Sequence, residues 1–331
     1  MTRAFCFLPA LCISIIVVFV LLMIPPVTHR FSYLAAIIDK EQLLQTVRSP
    51  RVILVGGSNL AFGVDSQVLS EKLHIPVINM GLHANLGLRF MLRQVERCLR
   101  NGDIVVVSPE DEQFLGQLNG GTELAEILYV FPCGVFSLSL ENVPKLAEAV
   151  GEMVHRKVKF WSAYGVRQAG RDSIYDRGGF NSCGDVVSHL VRTTDHSHLA
   201  DSGVVSGPLV IDGSAIDLLG RFAVVARARG AVVLLTFPCL CQSVFNQPYK
   251  LSFIAQLQRS LRQHPALMII SRPENYAFAD DCFFNTVYHL AKVARLKRSQ
   301  MLAEDISRYI ASKADTWSSK QDQVQTVPGR K

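Results

Sequence analysis

The chain has 331 residues, of which 49% are apolar and 19% are charged. This composition provides for a sizeable buried core and excludes intrinsic disorder over most of the length. The net charge of +6 at pH 7 is modest and scattered, and no basic run alternates with aromatic residues. A nucleic-acid-binding role is therefore not indicated.

The first thirty residues predict a membrane anchor. Residues 4–24 carry no charged side chain, and a helix of that length crosses a bilayer core at about 1.5 Å per residue. Pro25 and Pro26 follow directly with no small-x-small cleavage site before them, which favours a retained anchor over a cleaved signal peptide. Default insertion places the rest of the chain on the extracytoplasmic (periplasmic) side of a single-pass membrane protein. The opposite orientation stays open, because the basic residues on the two sides of the segment are nearly balanced.

Strands and helices alternate after the anchor. In chain order the pattern predicts a strand at 51–55, a helix at 65–73, a strand at 76–80, a helix at 86–99 and a strand at 104–107. After an irregular middle region it predicts a helix at 211–229, a strand at 231–237, a helix at 252–263, a strand at 266–270 and a helix at 292–310. Near-continuous Val, Ile and Leu strands between amphipathic helices predict an α/β fold with a doubly wound, flavodoxin-like parallel sheet of five strands.

This pattern divides the chain into three parts. Residues 1–30 form the anchor, and residues 31–313 form one α/β domain. Residues 116–207 do not follow the strand–helix pattern and are predicted to be an insertion or a cap over the strand ends. Residues 314–331 are predicted to be a disordered tail, because Ser, Gln and Lys dominate and the apolar periodicity stops.

Two polar segments fall at the predicted strand ends, where such sheets bind their ligands. Gly56-Gly57-Ser58-Asn59 follows the first strand, and its glycines allow a sharp turn that presents the Ser58 hydroxyl. The segment lacks the lysine of a phosphate-binding loop and the glycine spacing of a dinucleotide motif. Two interpretations of it remain, a simple turn and a loop that presents a nucleophilic serine. His289, between the last strand and the last helix, can reach the same edge and is the candidate base.

Four segments together resemble the SGNH/GDSL hydrolase superfamily. The segments are 56–65, 77–84, 106–110 and 285–299. In that order they are similar to the family's blocks I, II and III and to its last block. The last is similar to the form found in membrane-linked members that act on cell-envelope polysaccharides, where a Tyr-His-Leu sequence is followed by arginines. The resemblance covers residues 50–112 and 231–310 and leaves the middle of the chain unmatched.

The resemblance implies a role for each matched residue. Ser58 is the nucleophile, His289 its base, and Asn285 stands where the family has an aspartate that orients the histidine. The N–H groups of Ser58 and Ala84 hold the oxyanion. The residues expected to line the site are Gly57, Asn59, Gly81, Ala84, Asn85 and Glu110.

Two of these positions depart from the family pattern. Asn285 can orient an imidazole but cannot stabilise an imidazolium, and the same replacement in serine proteases costs about 10⁴ in turnover. Glu110 replaces an asparagine that donates to the oxyanion, and an ionised carboxylate has no donor. Glu110 can therefore help the oxyanion only when protonated, and otherwise serves another role; Asn59 or Asn85 are the alternative donors.

The function implied is that of a serine esterase or O-acyltransferase acting on acyl esters, acetyl in the first place, of an extracytoplasmic glycan or a small acyl-ester substrate. It requires no cofactor and no metal; Cys239-x-Cys241 lacks the second pair that a zinc site needs. A transferase would take its acyl group from a membrane-bound acyl-transfer partner. The two departures keep a second hypothesis open, a catalytically impaired, membrane-tethered module of the same fold that binds a glycan or a protein.

Overall fold

A parallel sheet forms the centre of the protein. The computed structural model describes residues 31–162, 174–194, 199 and 207–325. Its main sheet contains β1 (Val52–Gly56), β2 (Val77–Asn79), β3 (Ile104–Ser108) and β4 (Val232–Leu235), in the spatial order β2-β1-β3-β4. The order reverses between β1 and β3, and in doubly wound sheets the ligand crevice lies beyond the strand ends at such a reversal.

Helices cover both faces of this sheet. The helices are α1 (Ile37–Thr46), α2 (Ser58–Gly63), α3 (Ser66–Leu73), α4 (Leu88–Glu96), α5 (Thr122–Val130), α6 (Val143–Ser162), α7 (Gly213–Ala228), α8 (Gln242–Phe245), α9 (Pro248–Gln263) and α10 (Lys292–Gln325). Alternate residues of β1 point to opposite faces, so that Val52 and Leu54 join the core beneath α3 and α10, whereas Ile53 and Val55 join the core beneath α4 and α7. This confirms the α/β class and the parallel sheet with helices on both faces.

The fifth strand predicted for the main sheet is not confirmed. Residues 266–270 run beside β4, and the N–H of Ile270 donates to the carbonyl of Leu235 at 2.9 Å. Only one bridge, between Leu235 and Ile269, joins the two segments. The side chains of 266–270 are half-buried, as expected at a sheet edge that lacks a neighbour on its outer side. A separate small sheet pairs β5 (Leu240–Cys241) with β6 (Ala277–Phe278).

The sequence predicts an anchor at the start of the chain and a disordered tail at its end. The predicted anchor, residues 4–24, lies outside the described residues. Within the described ranges, no helix is both long enough and apolar enough to cross a membrane. At the other end, α10 extends to Gln325 and so continues beyond residue 314, where the sequence predicts a disordered tail. Neither Gly nor Pro interrupts residues 292–325, which allows the helix to continue without an apolar face.

The middle region belongs partly to the core. Helices α5 and α6 pack against each other, and α5 also packs on residues 33–36. The segment 174–194 returns to the sheet, where the N–H of Asn79 donates to Cys183 O at 2.9 Å and the N–H of Val186 donates to Ala61 O at 2.8 Å. The buried carboxylate of Asp185 accepts hydrogen bonds from Ser66 Oγ at 2.6 Å and Asn79 Nδ2 at 2.8 Å. This part of the predicted insertion therefore holds β2 and α3 together.

Candidate active site

Ser58 lies at the switch point of the sheet, directly after β1. Gly57 precedes it, and Ser58 is the first residue of the short helix α2. A Cβ on Gly57 would lie 2.5 Å from Glu110 Oε1 and 3.0 Å from the Ala84 nitrogen, so only glycine fits there. The loops that follow β1, β2 and β3 thus meet at Gly57. Ser58 itself is half-buried, and its Oγ lies 3.5 Å from Glu110 Oε1.

Asn59 ties the end of β1 to the end of β3. Its backbone N–H donates to Glu110 Oε1 at 2.8 Å, and its side-chain Nδ2 donates to Ser108 O and to Glu110 Oε1, both at 3.1 Å. Its Oδ1 accepts from Ser108 Oγ at 3.0 Å and from Arg298 Nη2 at 2.9 Å. Both donors of the fully buried amide are therefore in use. The alternative prediction that Asn59 donates to an oxyanion is not supported, because its amide positions the loop instead.

His289 is oriented by Asn285 and by an aromatic ring. Its Nδ1 lies 2.9 Å from Asn285 Oδ1, and Asn285 Nδ2 donates to the hydroxyl of Tyr175 at 2.8 Å. Because the amide nitrogen serves Tyr175, the amide oxygen faces the imidazole and Nδ1 carries the proton. Nε2 is then the basic nitrogen. It has no hydrogen-bond partner among the described residues, and it is not one of the side-chain atoms sealed from solvent.

Phe62 brings the histidine beside the serine. The imidazole of His289 stacks on the Phe62 ring with centroids 3.9 Å apart and planes inclined by 8°. Phe62 follows Ser58 by four positions in α2, which places the two side chains on the same face of the helix, one turn apart. Nowhere in the described part of the chain does a hydrogen bond join Ser58 Oγ to His289. Catalytic hydrogen bonds are often long or absent before substrate binds.

Burial controls the protonation of His289. It lowers the pKa of His289 to about 3, and the nearby His189 and His83 act in the same direction. The imidazole is therefore neutral over the ordinary pH range, which is the form that can accept a proton. His189 is itself buried between Phe62 and Phe284, and burial lowers its pKa to about 4.

Ser58 contacts the carboxyl group of Glu110. Burial raises the pKa of Glu110 to about 7, the neighbouring Glu112 adds to this, and the hydrogen bonds from Asn59 oppose it. Next to it, Lys250 pairs with Asp111, and the Tyr288 hydroxyl donates to Asp111 Oδ2 at 3.3 Å. Near neutral pH the Glu110 carboxyl is therefore divided between its acid and its ionised form.

Two backbone N–H groups in the site have no acceptor among the described residues. Those of Ser58 and Ala84 donate no hydrogen bond to any described residue. Gly81 holds the second loop close to the first, because a Cβ at this position would lie 2.9 Å from Gly57 O. The structure therefore brings together Ser58, Gly57, Gly81, Ala84 and Glu110, and places His289 with Asn285 against Phe62, one turn further along α2.

Asn85 does not join this group. Its N–H donates to His83 Nδ1 at 3.2 Å, its carbonyl accepts from Gly121 N at 2.8 Å, and it lines a cleft of about 380 Å³ between the second loop and α5 and α6. Asn85 is thus directed toward the middle region, and the expectation that it supplies an oxyanion donor is not supported.

Three supporting residues have no role in the sequence-based hypothesis. Phe62 and Arg298 lie within the matched segments, but their contacts with His289 and Asn59 depend on the packing of α2 and α10. Arg298 is fully buried and donates to the Asn59 carbonyl as well as to its side chain. Tyr175 lies in the unmatched middle region, so no motif identifies it.

No group of three or more His, Cys, Asp or Glu side chains suited to a metal ion occurs among the residues that the structure describes. No family model and no curated protein matches this chain.

Proposed function

We propose that this chain is a membrane-anchored serine esterase or O-acyltransferase of the SGNH type, acting on acyl esters, acetyl in the first place, of an extracytoplasmic glycan. One observation carries the proposal: the imidazole of His289, with a free Nε2, is held by Asn285 and Phe62 one helical turn from Ser58. The free N–H groups of Ser58 and Ala84 beside the same serine add support. The substrate class rests on the resemblance in sequence.

The reaction proceeds in two acyl transfers. Ser58 Oγ attacks the ester carbonyl while His289 Nε2 accepts the hydroxyl proton. The N–H groups of Ser58 and Ala84 donate to the oxyanion of the tetrahedral intermediate. The C–O bond to the leaving alcohol then breaks, and His289 returns its proton to that alcohol. Water or a sugar hydroxyl attacks the acyl-serine in the same manner, which gives hydrolysis or transfer and regenerates Ser58.

Asn285 makes His289 a weaker base than a histidine that is oriented by an aspartate. The amide fixes the tautomer of His289 through Nδ1 but carries no charge to stabilise the imidazolium that forms. The low pKa of His289 has the same consequence. The proposal therefore includes slow turnover, and an acyl acceptor or donor held in place by a membrane-bound acyl-transfer partner compensates for it by proximity.

The remaining elements of the proposal concern architecture. Residues 4–24 are the single-pass anchor, and the α/β domain lies on the extracytoplasmic side. The segment 266–270 is the fifth strand of the SGNH-type sheet, joined at the edge of β4. No cofactor or metal takes part.

The second candidate is a catalytically impaired module that uses the same site to bind a glycan or a protein. It is favoured by the absence of a hydrogen bond between Ser58 and His289 within the described residues. The carboxyl group of Glu110 beside the serine also favours it, since a carboxylate there repels an oxyanion. Both candidates make use of the same site, and they differ in whether Ser58 is nucleophilic.

Labelling by a fluorophosphonate distinguishes the two candidates. We expect the full-length protein in detergent to label and to hydrolyse p-nitrophenyl acetate, and Ser58→Ala to lose both. Ser70→Ala, on the adjacent helix α3, is the matched control and retains both. His289→Ala lowers the labelling rate by at least tenfold. A folded wild-type protein that neither labels nor hydrolyses the ester would refute the enzyme and favour the binding module.

A further inference from the structure

The carboxyl group of Glu110 is held beside Ser58 by its neighbours. Its Oε1 accepts from the N–H and the side-chain Nδ2 of Asn59, and it lies 3.5 Å from Ser58 Oγ. The side chain also forms a reciprocal capping box with Gln113 at the start of the turn Asp111–Leu115. The carboxyl group is thus fixed in place next to the candidate nucleophile.

The oxyanion would form beside this carboxyl group. A Cβ on Gly57 would contact both Glu110 Oε1 and the nitrogen of Ala84, so the carboxyl group and this free N–H lie on the same side of the serine loop. An ionised carboxylate here repels the oxyanion, whereas a protonated one is a strong hydrogen-bond donor.

We propose that Glu110 is a catalytic residue in its acid form: the protonated carboxyl group donates a hydrogen bond to the oxyanion that forms on Ser58 attack. The inference rests on the proposed function. The proton stays on Glu110 throughout, and His289 alone moves the proton of the reaction. Glu110 then fills the place of an amide donor, and it does so only while it is protonated.

The charges around Glu110 keep the acid form accessible near neutral pH. The titratable and charged groups facing it are Tyr33, Asp111, Glu112, Cys239, Lys250, Tyr288 and Arg298. Burial raises the pKa of Tyr33, Cys239 and Tyr288, which are therefore uncharged. Lys250 is paired with Asp111, and Arg298 is bonded to Asn59. Glu112 is left as the carboxylate that disfavours ionisation of Glu110, in addition to burial.

A rival role, in which ionised Glu110 takes the proton of Ser58, has the opposite pH dependence. As an acid-form donor, Glu110 supports activity below its pKa of about 7, and activity declines above it. As a base, it supports activity above that pH. Because Oε1 already accepts two hydrogen bonds from Asn59 and His289 offers a free Nε2, the geometry favours the donor.

The test is the pH profile of kcat/KM for p-nitrophenyl acetate, measured from pH 5 to 9 on the full-length protein and corrected for spontaneous hydrolysis. We expect wild-type activity to fall above pH 7, approaching a tenfold loss per pH unit above pH 8. Glu110→Gln keeps an uncharged donor at all pH values, so the ratio of its activity to that of the wild type rises about fiftyfold between pH 7 and 9. Glu112→Gln removes a repelling charge and shifts the wild-type midpoint to lower pH.

Several outcomes overturn the inference. A wild-type profile that is flat or rises above pH 7 refutes it without any variant, and so remains decisive if Glu110→Gln does not fold. A folded Glu110→Gln that labels with fluorophosphonate but shows the same decline as the wild type also refutes it. A wild-type protein that neither labels nor turns over the ester refutes the proposed function itself, and this inference with it.

Discussion

Replacing Glu110 by glutamine should stabilise the fold above neutral pH. The pKa of the Glu110 carboxyl rises from 4.5 to about 7 on folding, chiefly because the group is buried. The folded state therefore binds this proton more tightly than the unfolded state. Its contribution to stability is complete below pH 4.5 and is lost as the pH rises through 7. At about 1.4 kcal/mol for each pH unit, the loss amounts to about 3 kcal/mol.

Glutamine avoids this loss because it has no charge to bury. Its amide oxygen can still accept the two hydrogen bonds that Asn59 donates to Oε1. We expect the free energy of unfolding of Glu110→Gln, relative to the wild type, to increase by about 3 kcal/mol between pH 4.5 and pH 8. Urea denaturation followed by circular dichroism at several pH values measures it.

The matched control is Glu71→Gln, on the exposed side of α3. Because its side chain stays in water on folding, this variant reports any effect of glutamine that is unrelated to burial. A difference for Glu110→Gln that is constant from pH 4.5 to 8 would show that the Glu110 carboxyl is not raised in pKa by burial. That result would remove the physical basis for an accessible acid form, independently of any enzymatic assay.

Two further substitutions test the groups around the site. Asn285→Asp places a negative charge against His289 Nδ1, and a carboxylate there raises the pKa of the imidazole. We therefore expect kcat/KM for p-nitrophenyl acetate to rise at least tenfold and the acid limb of its pH profile to move upward from about pH 3. An unmoved limb would contradict the assignment of His289 as the base. Asp185→Ala leaves buried Arg295 without its nearest carboxylate at 3.4 Å and should cost about 3–5 kcal/mol in urea denaturation. The exposed control Asp217→Ala should cost less than about 0.5 kcal/mol, and an equally small loss in Asp185→Ala would show that Arg295 is balanced by other groups.

The main sheet could be predicted from the sequence because its strands are short apolar runs buried on both faces. Val52–Gly56 and Ile104–Ser108 carry this signal without interruption. The segment 266–270 has the same residue types but lies at an edge, and its pairing with β4 depends on how closely the chain follows that strand. Residue pattern alone does not determine this.

Long-range contacts account for the other differences. The helix α2 begins at Ser58 itself, although Gly-Gly-Ser indicates a turn, and the loop entering it is held by the contacts of Asn59 with Ser108 and Arg298. Asp185 likewise joins Ser66 and Asn79 across more than a hundred positions. Side chains so far apart in sequence leave no periodic signal in a single sequence.

The site was predictable to the extent that its residues follow strand ends. Ser58 and Glu110 follow β1 and β3, and parallel strands bring their carboxyl ends to one edge. The pairing of His289 with Asn285 was implied by the resemblance of the last segment, and their side chains do lie in contact. The roles of the other polar residues did not follow in the same way, because hydrogen-bond partners decide them: the amide of Asn59 is used up by its neighbours, and Asn85 faces the middle region.

The two departures from the family pattern offset each other in charge. The resemblance implies an aspartate beside the histidine and a neutral amide beside the oxyanion, whereas this chain has a neutral amide at Asn285 and a carboxyl group at Glu110. An ionised Asp at 285 would stabilise the imidazolium. With Asn there, position 285 supplies no charge to stabilise the imidazolium. A second negative charge at Glu110 would then have to be absent for the oxyanion to form. The neutral Asn285 and the raised pKa of Glu110 are therefore consistent with one site that works only in the acid form of Glu110.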